Sequence, residues 1–206
     1  MVGTLTPSGS GDIGRRPTKA ELERALADVA IVPITHMAAA IDDVLARFRQ
    51  THCNGGALFA AFEIGAEPAL DWYVARGQLH LDGILARLLV HPAIRAGLPD
   101  LRIDTAVPLP DIGLEPRDGL EIDGLLARAL YHGGAYWHAT GSGMPEKTLA
   151  LRFCDALFEL RFDEIAVYTS GKAWTDWFYD IAWDETFVVL DKRCRRLFLL
   201  AVTDTD

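Results

Sequence analysis

The chain is poor in cysteine, and its three cysteines lie far apart. Cys53, Cys154 and Cys194 form no C-x-x-C pair, and their number is odd. A disulfide framework like that of small secreted domains is therefore not expected. Cys154 lies on the apolar stripe of a predicted helix, where a free thiol behaves as a small buried hydrophobic group.

Long apolar runs are also missing. No stretch of the sequence approaches the roughly 18 consecutive apolar residues of a membrane-spanning helix, so no membrane segment is predicted. Residues 1–16 are rich in Gly, Ser, Thr and Pro and lack the apolar core of a secretory signal, which predicts a flexible tail. A cytoplasmic location is the expectation that follows.

Basic side chains are fewer than acidic ones, and the imbalance lies almost entirely in the second half of the chain. The formal net charge is −9, and residues 1–103 hold 10 basic and 11 acidic side chains, whereas residues 104–206 hold 10 and 18. A nucleic-acid-binding role is disfavoured, because it needs a basic surface to neutralise phosphates. An acidic half can attract a partner with a basic surface or a cation, although an acidic surface also keeps a protein soluble.

A complete cofactor motif is absent as well. Residues 141–148, Gly-Ser-Gly-Met-Pro-Glu-Lys-Thr, come close to a phosphate-binding P-loop, which needs a glycine immediately before its lysine. Glu146 occupies that position, and its negative charge would repel a phosphate. The segment therefore predicts a loop followed by a helix, and we assign the chain no cofactor and no metal ion.

The patterns that are present predict an α+β fold. Apolar residues at helical spacing, with suitable start and stop residues, predict helices over residues 18–30, 35–50, 68–75 and 145–160. Strand-like runs occur at residues 57–64, 165–169, 186–190 and 197–202. The last run is apolar at every position, which is typical of a strand covered on both faces. We expect a helical N-terminal part packed with a small, mainly antiparallel C-terminal sheet.

A chain of this length favours a single domain, here residues 17–206. Four of the ten prolines lie within residues 99–119. Such a segment is typical of a loop-rich connector. We expect a short strand at Leu101–Ala106 within it, and the connector is the candidate boundary between two parts of the domain.

An internal echo relates residues 79–91 to residues 120–132. Eight of the 13 positions are identical at a spacing of 41 residues. Asp82 and Asp123 are predicted to cap helix N-termini, with the leucines facing the core. A duplicated helical unit and chance re-use of an Ala/Leu/Arg pattern both remain open.

The most unusual segment alternates tryptophan with aspartate. Its members are Trp174, Trp177 and Trp183 with Asp176, Asp180 and Asp184. Residues 173–179 have the spacing of two helical turns, and a helical or tightly turned segment would align the three carboxylates. Three interpretations follow. The first is a packed corner in which Asp180 and Asp184 cap turns around residues 181–183 and Asp side chains accept from indole N–H groups. The second is a partner-binding surface, and the third is a site for a hard cation or acid–base chemistry.

Two histidines border a glycine-containing loop elsewhere in the sequence. His132 and His138 lie six residues apart, whereas metal sites need three or four converging ligands. Together with Asp180 and Asp184 they are the candidate catalytic residues. The alternative is that His132 interacts with a helix C-terminus and His138 packs at the surface.

The C-terminal block also carries a resemblance. The run W-x-x-W-F-x-D-I-A-W-D over residues 174–184 and the closing Thr-Asp-Thr-Asp of residues 203–206 resemble an uncharacterised family of bacterial proteins. The resemblance covers about 40 residues. No activity is established for that family, so the resemblance implies no catalytic residue.

Two classes of function are therefore expected. The first is a cytoplasmic protein-interaction module, such as an immunity protein that neutralises a toxin or a small regulatory binder, in which Trp174, Trp177, Trp183 and Asp176 contact a partner with a basic surface. The second is a small metal-dependent or acid–base hydrolase that uses Asp176, Asp180 and Asp184 with one of the two histidines.

Overall fold

The computed structural model describes residues 14–105 and 112–206, so most of the predicted tail lies outside the described residues. The helices are α1 (Lys19–Asp28), α2 (Ala39–Thr51), α3 (Pro68–Ala75), α4 (Ile84–Leu89), α5 (Pro92–Gly97), α6 (Ile122–His132) and α7 (Met144–Phe158). The strands are β1 (Ile31–Pro33), β2 (Gly56–Ile64), β3 (Glu115–Arg117), β4 (Ile165–Ser170), β5 (Glu185–Asp191) and β6 (Arg196–Thr203).

The strands form one antiparallel sheet in the order β1-β2-β6-β5-β4-β3. The longest pairing joins β2 to β6, from Gly56 opposite Thr203 to Glu63 opposite Arg196. Strands from both sides of the proline-rich connector thus share one sheet, to which the N-terminal half contributes β1 and β2. The α+β class is confirmed.

Strand β6 is covered on both faces, as its unbroken apolar sequence predicts. Leu197, Leu199 and Ala201 belong to the core on one side of the sheet, with residues of α1, α3, α4 and α5. Phe198 and Leu200 belong to the core on the other side, with residues of α2, α6 and α7. Successive side chains of a strand point to opposite faces, so an apolar residue at every position supplies two cores at once.

Local hydrogen bonds set the start of α1 and shift the start of α2. Thr18 and Glu21 form the capping box that their spacing predicts, each side chain accepting a backbone N–H at the start of α1. The predicted start of α2 at residue 35 is wrong, because the helix begins at Ala39. The backbone N–H of Ile34 instead donates to Ala61 and prolongs the pairing of β1 with β2.

Two further predictions are corrected. Among the described residues of the predicted strand at 101–106, none is in a strand, because Pro99–Leu101 forms a 3-10 turn and Arg102 adopts a left-handed conformation.

The predicted capping roles of Asp82 and Asp123 are wrong. Asp82 has a φ of 52° and accepts hydrogen bonds from Arg16 and Tyr73. Asp123 forms an ion pair with Lys147. The echoed segments lie on opposite faces of the sheet, in different cores.

Burial of Cys154 is as predicted. The side chain is fully buried in the core of α2, α6 and α7, and desolvation raises the pKa of its thiol to about 12. A thiol with so high a pKa is inert at neutral pH.

Within the described residues, no helix is long and apolar enough to cross a membrane.

The two-sided core makes a direct prediction. Leu199→Ala should lower the free energy of unfolding by about 3 kcal/mol, because it removes a fully buried side chain and leaves a cavity. Urea denaturation measures the change. Val32→Ala is the control, since Val32 is 56% exposed on the edge strand. A loss for Leu199→Ala no larger than that of the control would contradict burial of β6.

Candidate functional site

The candidate residues gather at one end of the sheet. There β6 ends, β4 ends, and β2 and β5 begin, as the pairs Gly56–Thr203, Glu185–Val202 and Ser170–Thr186 show. The segments at this end are residues 52–55, 133–143, 171–184 and 203–206, and we call them together the loop end. The opposite end carries the hairpin between β5 and β6.

Asp204 joins two of these segments. Its carboxylate is fully buried, and its two oxygens accept backbone N–H groups of Asn54 at 2.9 Å and Ala135 at 2.8 Å. Asn54 also donates from its side chain to the carbonyl of Thr205 at 2.7 Å. A buried carboxylate that accepts backbone donors on both oxygens holds the loops in a fixed position.

Two glycines allow this close approach. A Cβ at Gly134 would collide with the Asp204 carboxylate and the Thr51 carbonyl, and a Cβ at Gly55 would collide with the Thr203 backbone. The N–H of Gly134 donates to the Thr51 carbonyl at 3.2 Å. Glycine is needed at both positions because the chain segments are in direct backbone contact.

Asp184 fixes the third segment. It is buried, one oxygen accepts the N–H of Ile181 at 3.1 Å, and the other is near the N–H of Tyr179 at 3.5 Å. The hydroxyl of Thr203 donates to the same carboxylate. Asp184 therefore uses its oxygens on the fold, in the turn-capping role predicted for it, but the predicted Asp–indole contact is wrong for Trp174, whose N–H donates to the Thr186 hydroxyl.

Residues 173–179 form turns, bends and irregular backbone rather than the two helical turns predicted. The Thr175 hydroxyl accepts the N–H of Trp177 at 3.4 Å, and such side-chain bonds compete with helical ones. Asp184 takes the N–H of Ile181, and Asp180 has a φ of 61°. The three carboxylates are consequently not aligned on a helix face.

The tryptophans divide between core and surface. Trp174 is buried, packs in the core with Phe178, and donates its indole N–H to the Thr186 hydroxyl at 2.9 Å. Trp177 and Trp183 are half-buried. The acidic residues divide in the same way, since Asp176 and Asp180 are exposed whereas Asp184 is buried.

The histidine candidates do not converge with these carboxylates. His132 ends α6 and is exposed with its ring edge against Tyr131, and His138 is exposed in the following loop. Over residues 14–105 and 112–206, no group of three or more His, Cys, Asp or Glu side chains is arranged to hold a metal ion.

The same loop supplies aromatic surface that sequence reasoning did not single out. Tyr136 is 66% exposed, and Tyr179 in the neighbouring segment is 49% exposed with its hydroxyl donating to the Asn54 carbonyl at 3.3 Å. Half-buried Trp137 lies beneath the Arg47 guanidinium, 4.2 Å from the ring centre. The loop end thus presents rigidly held aromatic rings beside exposed carboxylates.

His52 is a buried titratable group behind this surface. Its ring packs edge-on against Phe48, and desolvation lowers the pKa of His52 below its ordinary value. The nearby Asp204 carboxylate opposes that shift without reversing it. The imidazole is therefore kept neutral in the folded protein more strongly than in the unfolded chain.

Comparison with known proteins adds no assignment. No protein-family model, no curated protein and no solved structure matches this chain. The resemblance of the C-terminal block to a bacterial family stays a prediction, and the geometry of the loop end is the basis for a proposed function.

The role of Asp204 is testable by an isosteric change. Asp204→Asn should lower the free energy of unfolding by about 2 to 3 kcal/mol, because one buried backbone N–H then faces an amide donor. Chemical denaturation measures the loss. Asp206→Asn removes an exposed carboxylate two residues away and should leave the stability unchanged. Equal stability of both variants would refute the role of Asp204 in tying the loops.

Burial of His52 predicts a pH effect on stability. The folded pKa lies below the value of about 6.5 expected for the unfolded chain. The unfolded state therefore binds the proton more readily, so this contribution is fully present above pH 6.5 and is lost as the pH falls below it. Unfolding measured from pH 7.5 to 5 should show the loss.

The matched comparison uses an exposed histidine. His52→Gln should reduce the dependence of stability on pH in that range, whereas His132→Gln should leave it as in the parent, since His132 is exposed. An NMR titration that gives His52 an ordinary or raised pKa would overturn the prediction even if a variant failed to fold.

Proposed function

We propose that the protein is a protein-interaction module that binds a partner with a basic surface through the loop end. The observation that carries the proposal is the pairing of exposed aromatic rings with exposed carboxylates on loops that buried carboxylates hold in place. The proposed module needs no cofactor. A toxin-neutralising immunity protein or a small regulatory binder is the kind of function it fits.

The aromatic residues supply the anchors. Tyr136 and Tyr179 are exposed, while Trp137, Trp177 and Trp183 are partly covered and still reach the surface. Tyrosine and tryptophan are enriched among the residues that dominate binding energy, because they bury a large area with few rotatable bonds. Trp174 is excluded from this role, since its indole lies in the core.

Because the loops are held in place, their exposed side chains have the fixed positions that recognition of a partner needs. Asp204 ties residues 54 and 135 to the end of β6, and Asp184 holds residues 179 and 181. A surface fixed before binding loses little conformational entropy when a partner docks. The loop end therefore has the preorganisation that a specific binding site requires.

Charge indicates the nature of the partner. Asp176, Asp180 and Asp206 are exposed at the loop end, in the half of the chain that holds 18 acidic and 10 basic side chains. Complementary charge accelerates association and fixes orientation. A basic protein surface matches this arrangement, and the same acidic character supports the absence of a nucleic-acid role.

Location and family belong to the same proposal. A cytoplasmic site of action is consistent with three free cysteines, two of them exposed. The resemblance of residues 174–184 and 203–206 to a bacterial family coincides with the segments that build the loop end. A shared block of this kind would preserve the scaffold of the surface through Trp174, Asp184 and Asp204.

The aromatic anchors are tested with a partner identified by photo-crosslinking from residue 136 in the producing organism and then purified. Tyr136→Ala with Tyr179→Ala should weaken binding at least 30-fold, which corresponds to about 2 kcal/mol. Leu120→Ala is the control, because Leu120 is 72% exposed before α6, beside the 162–165 segment at the opposite end. Equal affinities for the two variants would reject the loop end as the binding surface.

The charge component has a separate test. Asp176→Asn with Asp180→Asn should slow association and reduce its dependence on salt, with a smaller effect on dissociation. Asp155→Asn with Glu159→Gln removes the same charge from exposed positions at α7 and should leave the association rate close to that of the parent. Stopped-flow mixing at two salt concentrations distinguishes the variants, and equal slowing by both pairs would show that only net charge matters.

A further inference from the structure

A cleft of about 600 Å³ opens beside the loop end, between α6 and the adjoining ends of β4 and β5. Gly124, Leu125 and Arg128 of α6 form one wall, and Gly171, Ala182 and Glu185 lie across from them. The volume is within the range of small-ligand sites. None of the residues first considered for chemistry, other than Asp184, lines this cleft.

Glu185 carries a carboxylate in the cleft whose charge is only weakly compensated by other protein groups. Its Oε2 atom is enclosed and has no hydrogen-bond partner among the described residues. Its Oε1 atom accepts from Arg128 at 3.4 Å, a long contact with a guanidinium whose side chain is 59% exposed. Solvent screening makes such a contact weak.

The electrostatics agree with that geometry. Desolvation raises the pKa of Glu185, and the nearby Arg128 offsets only part of the effect. A cation placed in the cleft would stabilise the ionised form of Glu185 directly.

The balance of charge in the cleft disfavours an anion. Its lining includes the carboxylates of Glu121, Asp184 and Glu185 and the guanidiniums of Arg117 and Arg128. Arg117 is already engaged, donating to Thr169 at 3.0 Å and to Glu115 at 2.9 Å. An anion would meet three carboxylates and two guanidiniums that already contact carboxylates, whereas a cation would meet the weakly compensated carboxylate of Glu185.

We infer that this cleft is a binding site for a guanidinium or ammonium group, with Glu185 as its counter-ion. A guanidinium suits it, because it can donate a charge-assisted hydrogen bond to the Oε1 atom of Glu185 in place of the long contact with Arg128. The identification of that group as a side chain of a basic partner rests on the proposed function. Binding of the cation itself does not.

The test uses the full chain and a defined probe, N-acetyl-L-arginine methylamide, followed by NMR. Amide signals of Gly124, Gly171 and Glu185 should shift saturably at millimolar probe concentrations. The neutral isostere N-acetyl-L-citrulline methylamide has nearly the same shape and should bind at least tenfold more weakly. Equal binding of the two probes would overturn the inference.

Two variants locate the counter-ion. Glu185→Gln should weaken binding of the arginine probe at least tenfold, and its retained amide spectrum would show that the fold is intact. Glu159→Gln, an exposed change outside the cleft, should bind as the parent does. Parent-like affinity of a folded Glu185→Gln variant would contradict the assignment.

The titration of Glu185 supplies a readout that does not depend on any variant. Affinity for the arginine probe should increase as the pH rises through the pKa of Glu185, and saturating probe should lower that pKa as followed by carboxyl ¹³C shifts. An unchanged pKa with saturating probe would contradict the site. These results are independent of the crosslinked partner, so failure of the cleft and failure of the loop-end surface can be told apart.

Discussion

Complete burial of the last strand is the constraint on which the structure depends. Strand β6 supplies alternate side chains to the two cores, so both of its faces are covered by helices. Where the chain leaves the apolar interior at the end of β6, its buried backbone N–H and C=O groups must keep hydrogen-bond partners. Thr203 and Asp204 meet that requirement: both are fully buried, and their side chains bond to loops rather than to water.

As a result, some aromatic and acidic side chains near the end of β6 are buried and support the fold, whereas others are exposed to solvent. Asp184 and Asp204 accept N–H groups from the loops, and Trp174 fills the core beside Phe178. Asp176 and Asp180 remain at the surface. The fold thus uses part of an aromatic and acidic block as a scaffold and displays the rest, which is the physical basis for proposing a recognition surface there.

Several features of this outcome were predictable from the sequence for identifiable reasons. The uninterrupted apolar run at residues 197–202 indicates two-sided burial, and the Thr18–Glu21 spacing specifies a helix start. The helix predicted over residues 173–179 is not formed: the Thr175 hydroxyl accepts the N–H of Trp177, and Asp184, which lies outside that window, accepts the N–H of Ile181 just beyond it. Local spacing carries no information about such an acceptor.

The candidate site residues were likewise only partly predictable, because their burial depends on contacts between distant parts of the sequence. The sequence drew attention to the tryptophan–aspartate block, yet it could not separate Asp184 from Asp176 and Asp180, because burial depends on contact with Thr203. Glu185 went unnoticed, since its environment is created by α6 lying across the start of β5. Tyr136 went unnoticed because one tyrosine in a glycine-bordered loop has no distinctive pattern.

Native-state hydrogen exchange tests most directly whether buried carboxylates hold the loop end rigid. The amides of Asn54 and Ala135 lie in loops, where exchange is ordinarily fast, yet both donate to Asp204. The account predicts that they exchange only through global unfolding, with protection close to that of β6. Exchange of these two amides at the rate of exposed loop amides would contradict it.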